Sequence, residues 1–210
     1  HRVLILPQLG AAGVAAREVT KQTGFRVEWG PVRAEDLREY LANGRTATEA
    51  MRTVRFTLWD RLVLTPMELV GAFKPSLILF GALFILNAIG FGHYGLVDMA
   101  AYLGAIVAGA VLTPVLLPWI PGLAFSFKGF LLGVLWAIAA VLLTGLIKLP
   151  PVGLPFDNWL QAAAYLMVLP SLSAFCAMNF TGSSTYTSMS GVDREMKIAL
   201  PLMLVATILG

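Results

Sequence analysis

The chain has 210 residues, of which 58% are hydrophobic and 13% are charged, and its mean hydropathy is +0.77. A soluble domain usually carries about 25% charged residues, so this composition excludes a water-soluble globule over the whole length. The net charge of +3 is explained by membrane topology and predicts no nucleic-acid partner. Because Cys176 is its one cysteine, the chain has neither an internal disulfide nor a CxxC motif.

The charged residues are concentrated in the first third of the chain. Residues 1–75 hold 11 Lys and Arg with 8 Asp and Glu, whereas residues 76–210 hold 4 and 4. We therefore predict an α/β unit with a juxtamembrane linker over residues 1–73 and a transmembrane domain over residues 74–210. His1 leads directly into an apolar run, with neither an initiator Met nor a signal-peptide pattern, so we expect a fragment of a longer protein.

The first 54 residues alternate between strand and helix patterns. An apolar run closed by Pro7 is typical of a buried parallel strand, and Gly24 is a good helix stop. In chain order we predict a strand at 3–6, a helix at 14–23, a strand at 25–29, a helix at 34–42 and a short helix at 48–54. This alternation of strands and helices predicts the C-terminal part of a Rossmann-like, doubly wound α/β domain.

Five apolar segments follow, and we predict that each is a transmembrane helix. The spans cover about residues 75–91, 96–119, 129–147, 159–180 and 198–210. Tyr94, Trp119 and Trp159 sit at span ends, as interfacial aromatic residues do. Asp98, near a span end, is the one ionisable residue expected within the membrane, which counts against a pump or a proton-coupled carrier.

The placement of Lys and Arg predicts a multi-pass protein of the cytoplasmic (inner) membrane with its basic N-terminal unit in the cytoplasm. Two loops then lie outside, at 91–97 and 148–158, and two lie inside, at 120–128 and 181–197. Lys128, Arg194 and Lys197 fall on the inner face, and Lys148 is the exception. The basic residues between 52 and 61 are interpreted as a juxtamembrane patch that meets anionic lipid.

Two glycine-containing turns, residues 6–13 and 30–34, follow the carboxyl ends of the predicted strands. In open α/β sheets ligands bind at that edge, and helix N-termini there attract anionic groups. Small residues let a large flat ligand approach the backbone, and Arg33 could serve a phosphate or a propionamide edge. The alternative is that Gly and Pro merely make tight turns.

A hydroxyl-rich stretch, residues 179–192, lies between the last two predicted spans. It is longer than a turn requires, which favours a surface that packs on the soluble unit or touches its ligand. The alternative is a solvated loop whose Ser and Thr residues cap the following helix.

At three places the sequence resembles a known family. The segment LPQLGAAGVAAREVTKQTGFRVEWGPVRAEDLREYL, residues 6–41, resembles the corrinoid-binding domain of the corrinoid iron–sulfur protein large subunit. TATEAMRTVRFTLWDRLVLTPMELV at 46–70 and MNFTGSSTYTSMSGVDREMKIALP at 178–201 are similar to its membrane-anchored branch, the mercury-methylating corrinoid proteins. The resemblance implies a corrinoid domain followed by five transmembrane helices.

The family implies methyl transfer from a cobalt corrinoid of the cobalamin type to mercury(II). The implied partner is a ferredoxin-like protein with two 4Fe–4S clusters, and the methyl donor is unknown. In the family a cap-helix cysteine within an Asn-x-Trp-Cys-Ala motif faces the cobalt. This chain lacks that motif, which would lie upstream of His1, and Cys176 inherits nothing from it. The catalytic residue is therefore unknown, no metal ligand is assigned, and we expect the fragment alone to be inactive.

The functional residues that the resemblance implies for this chain lie in two turns and one loop. The resemblance implies that both turns contact the corrinoid through Pro7, Gln8, Leu9, Gly10, Gly13, Gly30, Pro31, Val32, Arg33 and Ala34. It also matches a cytoplasmic loop, which we hypothesise docks under the corrinoid domain: Thr181, Gly182, Ser183, Ser184, Thr185 and Tyr186. Unchanged methylmercury production after alanine replacement of residues 183–185 in the intact protein would discard the docking hypothesis.

Two other functions stay open at this point. One is a membrane-anchored corrinoid methyl carrier of one-carbon metabolism that uses another acceptor. The other is a non-catalytic membrane anchor or transporter with an α/β regulatory domain. A corrinoid spectrum from purified full-length protein would exclude the anchor or transporter, and the upstream sequence would discriminate between the two corrinoid functions.

Overall fold

The computed structural model describes residues 2–54, 56–91, 94–146, 156–183 and 189–210. It divides into two compact units, His1–Arg55 and Phe56–Gly210. Several predicted features lie outside the described residues, namely Arg55, the middle of the 91–97 loop, Lys148 with most of its loop, and Ser184, Thr185 and Tyr186.

The first unit is a small parallel sheet with short helices. Its elements are β1 (Val3–Pro7), a 3-10 turn (Gln8–Ala12), α1 (Ala16–Thr23), β2 (Arg26–Gly30), a second 3-10 turn (Ala34–Asp36), α2 (Leu37–Ala42) and α3 (Glu49–Arg52). The strands pair in parallel, with Val3 opposite Arg26 and Pro7 opposite Gly30. The predicted strands and helices are present, except that the helix expected at 34–42 begins as the second 3-10 turn.

Local chemistry explains where these elements end. Gly24 has φ 72° in the left-handed region, so α1 stops where a residue with a side chain would be strained. The Thr48 side chain accepts a hydrogen bond from the Met51 backbone N–H and caps α3. Tyr40 and Met51 are the buried hydrophobic residues of this unit. The Met51 carbonyl accepts from the Val32 N–H at 2.9 Å, which ties α3 to the turn after β2.

The second unit is helical. Its elements are α4 (Leu58–Ala88), α5 (Leu96–Val107), a π-helical segment (Ala108–Leu112), α6 (Thr113–Leu116), α7 (Phe125–Leu143), α8 (Phe156–Asn179), a 3-10 turn (Phe180–Ser183) and α9 (Met189–Leu209). Among the described residues, four helical stretches are long and apolar enough to cross a membrane: Leu58–Ala88, Leu96–Leu116, Phe125–Leu143 and Asp157–Asn179. The chain is therefore a multi-pass membrane protein in its architecture.

The start of the first membrane helix differs from the prediction. We expected a span from residue 75, but α4 begins at Leu58, so the expected boundary at residue 73 falls inside this helix. A capping box between Thr57 and Asp60 sets the beginning. Pro75, taken as the start, is an interior residue of α4.

Two predicted inner loops are shorter than expected because the following helices begin early. Lys128 lies on α7, which starts at Phe125, and Arg194 and Lys197 lie on α9, which starts at Met189. The Glu195 carboxylate accepts a hydrogen bond from the Ser126 N–H at 2.6 Å. This bond caps α7 from another helix, so the local sequence gave no sign of it.

Glycines and other small residues bring α7 and α8 together. A Cβ on Gly133 would lie 2.6 Å from the Pro170 Cα, and one on Gly129 would lie 2.7 Å from the Ser173 carbonyl oxygen. The Ser173 hydroxyl donates to the Gly129 carbonyl at 2.8 Å. Close backbone approach and an interhelical hydrogen bond are typical of helix pairs in membranes, where lipid offers no hydrophobic driving force.

Candidate functional site

The two predicted turns meet at one edge of the sheet. Pro7 is the register partner of Gly30, so the carboxyl ends of both strands lie side by side. The first turn continues from Pro7 through the 3-10 segment Gln8–Ala12 to Gly13, whose N–H donates to the Gly10 carbonyl at 3.0 Å. The second continues through Pro31 to the 3-10 turn that opens at Ala34. The parallel pairing therefore places both sets of predicted residues at the same edge.

The first turn presents a small-residue surface to solvent. Leu9 is 60% exposed, and Pro7, Ala11, Ala12 and Gly13 are exposed as well. Gln8 and Gly10 are half-buried. A flat ligand could approach this surface closely, since the exposed side chains apart from Leu9 and Pro7 are no larger than a methyl group.

The second turn contributes mainly to packing within the first unit and offers few residues for contact with a ligand. Gly30 and Pro31 are buried, and a Cβ on Gly30 would lie 2.8 Å from the Ile5 Cγ2. Glycine at this position therefore lets β2 pack against β1. Val32 and Arg33 are half-buried and Ala34 is exposed. The part of this turn that a ligand can reach is residues 32–34.

Arg33 is engaged by a neighbouring carboxylate. Its Nη1 lies 3.0 Å from the Glu35 Oε1 in an ion pair at the surface. An anionic ligand group at this edge would compete with Glu35 for the guanidinium. Because an exposed ion pair is worth at most about 1 kcal/mol, such competition costs little.

A second charge cluster lies on β2. The Glu28 carboxylate forms ion pairs with Arg26 at 2.5 Å and with Arg45 at 3.3 Å. The hydrogen bond from Arg26 lowers the pKa of Glu28 below its usual value, and Arg45 adds to the effect. Glu28 is therefore ionised at neutral pH. Its ion pair with Arg45 connects β2 to the segment after α2.

The hydroxyl-rich stretch is described only in part. Phe180–Ser183 forms a 3-10 turn, and the buried Thr181 hydroxyl donates to the Met178 carbonyl at 2.6 Å. Thr181 therefore terminates α8. The hypothesis that residues 181–186 dock on the soluble unit stays a prediction.

Arg61 is a residue whose role the sequence analysis missed. Interpreted as part of a lipid-facing basic patch, it is instead 5% exposed, and its Nη1 donates to the Val115 carbonyl at 2.8 Å. Its guanidinium also lies 5.7 Å from the centroid of the Trp119 ring. The Thr57-x-x-Asp60 capping box could have indicated this role from the sequence, since it places Arg61 inside a helix.

Asp98 lies where the sequence analysis placed it, at the end of a membrane helix. Its carboxylate accepts from the Gly95 N–H at 2.8 Å, from the Tyr165 hydroxyl at 2.6 Å and from the Gln161 amide at 3.2 Å. The carboxylate therefore caps α5 and joins it to α8. With three donors satisfied within the unit, Asp98 is a structural residue.

Comparisons with known proteins add no identification. No protein family, curated protein or solved structure matches the chain. In the part of the chain that the structure describes, no group of three or more His, Cys, Asp or Glu residues is arranged to hold a metal ion.

Proposed function

We propose that the chain belongs to a membrane-anchored corrinoid protein that transfers a methyl group to mercury(II). The observation that carries this proposal is the shared sheet edge, where two turns that resemble corrinoid-contact turns lie side by side after parallel strands. The edge is where ligands bind in open α/β sheets. The proposal takes the first unit as the last part of a Rossmann-like corrinoid domain.

The residues at the edge fit one side of a flat macrocycle. Leu9 offers an apolar contact, and Ala11, Ala12 and Gly13 beside it have at most a methyl side chain. In this proposal they pack against the corrinoid, while residues 32–34 meet its polar periphery. A bound corrinoid would supply the methyl carrier for transfer to mercury(II). Residues 7–13 and 32–34 would hold the group and orient it.

The proposed partners follow from the resemblance. In this proposal a ferredoxin-like protein with two 4Fe–4S clusters supplies the electrons. Mercury(II) is the substrate, and the product is methylmercury.

The proposed topology has five spans in the cytoplasmic membrane. In the part of the chain that the structure describes, four helices meet the length and apolarity of a span, and we add α9 as the fifth. Its first half carries Asp193, Arg194, Glu195 and Lys197, and residues 198–209 after them are uncharged. Arg194 and Lys197 then mark the cytoplasmic side, where the first unit also lies in this proposal.

Substitution of Gly13 tests the proposed corrinoid edge. Gly13 has φ −107°, and its added Cβ would meet nothing nearer than the Gly10 carbonyl oxygen at 3.9 Å, so Gly13→Phe is compatible with the fold. Its ring would project at the edge and obstruct a flat ligand. We expect purified intact protein with Gly13→Phe to lose most of its visible corrinoid absorbance and its methylmercury production.

Gln22→Phe is the matched control. Gln22 is exposed in the last turn of α1, away from the carboxyl ends of the strands, so the same ring is added without obstruction of the edge. This variant is expected to retain the corrinoid. Equal corrinoid content in both variants would refute the proposed edge, and a corrinoid-loaded protein that yields no methylmercury would refute mercury(II) as the acceptor.

A further inference from the structure

A cavity of about 340 Å³ lies within the membrane unit between α4, α5 and α8. Most of its wall is apolar, as in Ile106, Leu172 and Phe175. Gly71 and Pro75 of α4 and Phe175 of α8 line the cavity and are also exposed, so it opens between these two helices onto the lipid. An apolar wall with a mouth toward the bilayer favours an apolar occupant that enters from the lipid.

The contacts of α4 show which end of the cavity is which. The Arg61 guanidinium donates to the Val115 carbonyl, and the Ser76 hydroxyl lies 3.1 Å from the Tyr102 hydroxyl. The helix α4 therefore runs antiparallel to the membrane stretch Leu96–Leu116. Among the lining residues of α4, Glu68 lies nearest to the end marked by Arg61.

The contacts of α8 place its polar lining residue at the same end. Near the start of α5, the Tyr165 hydroxyl donates to the Asp98 carboxylate at 2.6 Å, and further along Cys176 packs with Ala110. The helix α8 therefore runs parallel to α5, and Asn179 at its end points toward the end of the cavity that holds the carboxylate of α4.

Glu68 and Asn179 are free to bind a ligand. Glu68 is half-buried and Asn179 is exposed, and among the described residues neither side chain forms a hydrogen bond or a salt bridge. The Tyr102 hydroxyl, which also lines the cavity, is engaged by Ser76. The cavity thus has a carboxylate and an amide oxygen as free acceptors at one end and apolar residues over the rest of its wall.

These acceptors lie at the depth of lipid headgroups. About 20 residues span the hydrocarbon, and counted back from Ala88 they reach Leu69, so Glu68 falls at its boundary. Asn179 is the last residue of its membrane helix. An amphiphile with its chain in the cavity would therefore place its polar head beside both side chains.

We propose that this cavity binds one acyl chain of phosphatidylethanolamine, whose ammonium group donates hydrogen bonds to the Glu68 carboxylate and the Asn179 amide oxygen. The volume is near the lower limit of about 300–1,000 Å³ for ligand pockets, which suits one chain better than a whole lipid.

The charge at the end of the cavity selects the headgroup. The Glu68 carboxylate attracts a cationic group and repels the net negative headgroup of phosphatidylglycerol. The ammonium of phosphatidylethanolamine has N–H donors, as that of lysine has, and its hydrogen bonds to a carboxylate are charge-assisted. The trimethylammonium of phosphatidylcholine has no N–H group to donate.

The test uses the full 210-residue chain in detergent. It is mixed with equal amounts of phosphatidylethanolamine, phosphatidylcholine and phosphatidylglycerol that have identical acyl chains, and native mass spectrometry counts the lipid retained by each protein molecule. We expect one phosphatidylethanolamine for each chain, at least about tenfold more than either other lipid. Glu68→Gln is expected to remove this preference, and Glu68→Asp, which keeps the carboxylate, to recover part of it.

A filled cavity tests the place of the acyl chain. A Cβ added to Gly71 meets no atom within 4 Å, so Gly71→Leu is compatible with the fold, and its side chain would occupy the cavity. We expect this variant to retain no phosphatidylethanolamine. Gly81→Leu is the matched control, since an added Cβ there also meets no atom within 4 Å and Gly81 lies beyond Pro75, the last lining residue of α4. It is expected to bind like the parent chain.

Three results would overturn the proposal. One is equal retention of the three lipids by the parent chain, which would show that only nonspecific lipid surrounds the helices. The second is retention of phosphatidylethanolamine by Gly71→Leu at the parent level. The third is displacement of the lipid by soluble phosphoethanolamine, since the acyl chain would then contribute nothing. Lipid retention needs no corrinoid, so none of these results bears on the proposed methyl transfer.

Discussion

The two glycines of α7 that face α8 allow a specific prediction about helix packing. Gly129 and Gly133 are one turn apart and face α8, and the structure leaves no room for a methyl group on either. A Cβ on Gly133 would lie 2.6 Å from the Pro170 Cα and 2.7 Å from the Ser173 Cβ. We therefore expect Gly133→Ala to destabilise the membrane unit, although alanine is the better helix former.

The magnitude follows from the distances. Ordinary contact begins at 3.4 Å, so the Pro170 backbone must retreat by about 0.8 Å from its present 2.6 Å. The obstructing atom belongs to a backbone and not to the end of a flexible side chain, so two helices must separate locally. Overpacking of this kind costs about 1–3 kcal/mol in free energy of unfolding.

Unfolding by SDS in mixed micelles measures this cost, with tryptophan fluorescence as the signal. Trp136 is a suitable probe because it lies on α7 and its Nε1 donates to the Ala101 carbonyl at 2.7 Å. Gly81→Ala on α4 is the matched control, since an added Cβ there meets no atom within 4 Å. We expect Gly81→Ala to be neutral or slightly stabilising. If both variants unfold at the same SDS fraction, the close approach of α7 and α8 is refuted.

Three further predictions concern charged groups. Arg61→Met removes the donor to the Val115 carbonyl and should lower the free energy of unfolding in SDS by about 1.5–3 kcal/mol, with Arg61→Lys less affected; a neutral result for Arg61→Met would contradict the buried contact. Glu195→Gln weakens the cap on the Ser126 N–H and should cost about 1 kcal/mol in the same titration, whereas an unchanged midpoint would exclude the cap. Arg26 and Arg45 lower the pKa of Glu28 below its ordinary value of 4.5. The ion pairs of Glu28 therefore stabilise the first unit fully at pH values above 4.5, and this stabilisation is lost as the pH falls through the lowered pKa. Pulse proteolysis in urea at several pH values should therefore show a weaker acid dependence for Glu28→Gln, and an identical dependence would count against the ion pairs.

The sequence predicted the first unit well because its signals are local. Two apolar runs closed by Pro7 and Gly30 gave the strands, and Gly24 gave the end of α1 with the positive φ that favours glycine. Parallel pairing then followed from the intervening helix, and with it the shared edge. What the pattern did not show is that Gly30 and Pro31 are buried, because burial depends on Ile5 and on residues outside the turn.

The membrane unit was less predictable because its decisive contacts join distant residues. The GxxxG pattern on α7 was visible in the sequence, but its partner residues on α8 lie about 40 positions away. Arg61 donates a hydrogen bond to a carbonyl of α6, and the Ser126 N–H donates to a carboxylate of α9. Composition also misplaced the start of α4, since charged residues before position 75 suggested a linker when they are in fact part of the helix.

The length of α4 locates the beginning of its membrane-spanning part. Residues 75–88 extend only about 21 Å as a helix, which is too short for a hydrocarbon core of about 30 Å. About 20 residues are needed, and counted back from Ala88 they reach Leu69, so Glu68 falls at the boundary of the hydrocarbon. The charged residues Asp60, Arg61 and Glu68 therefore precede the hydrocarbon, although all three lie on α4.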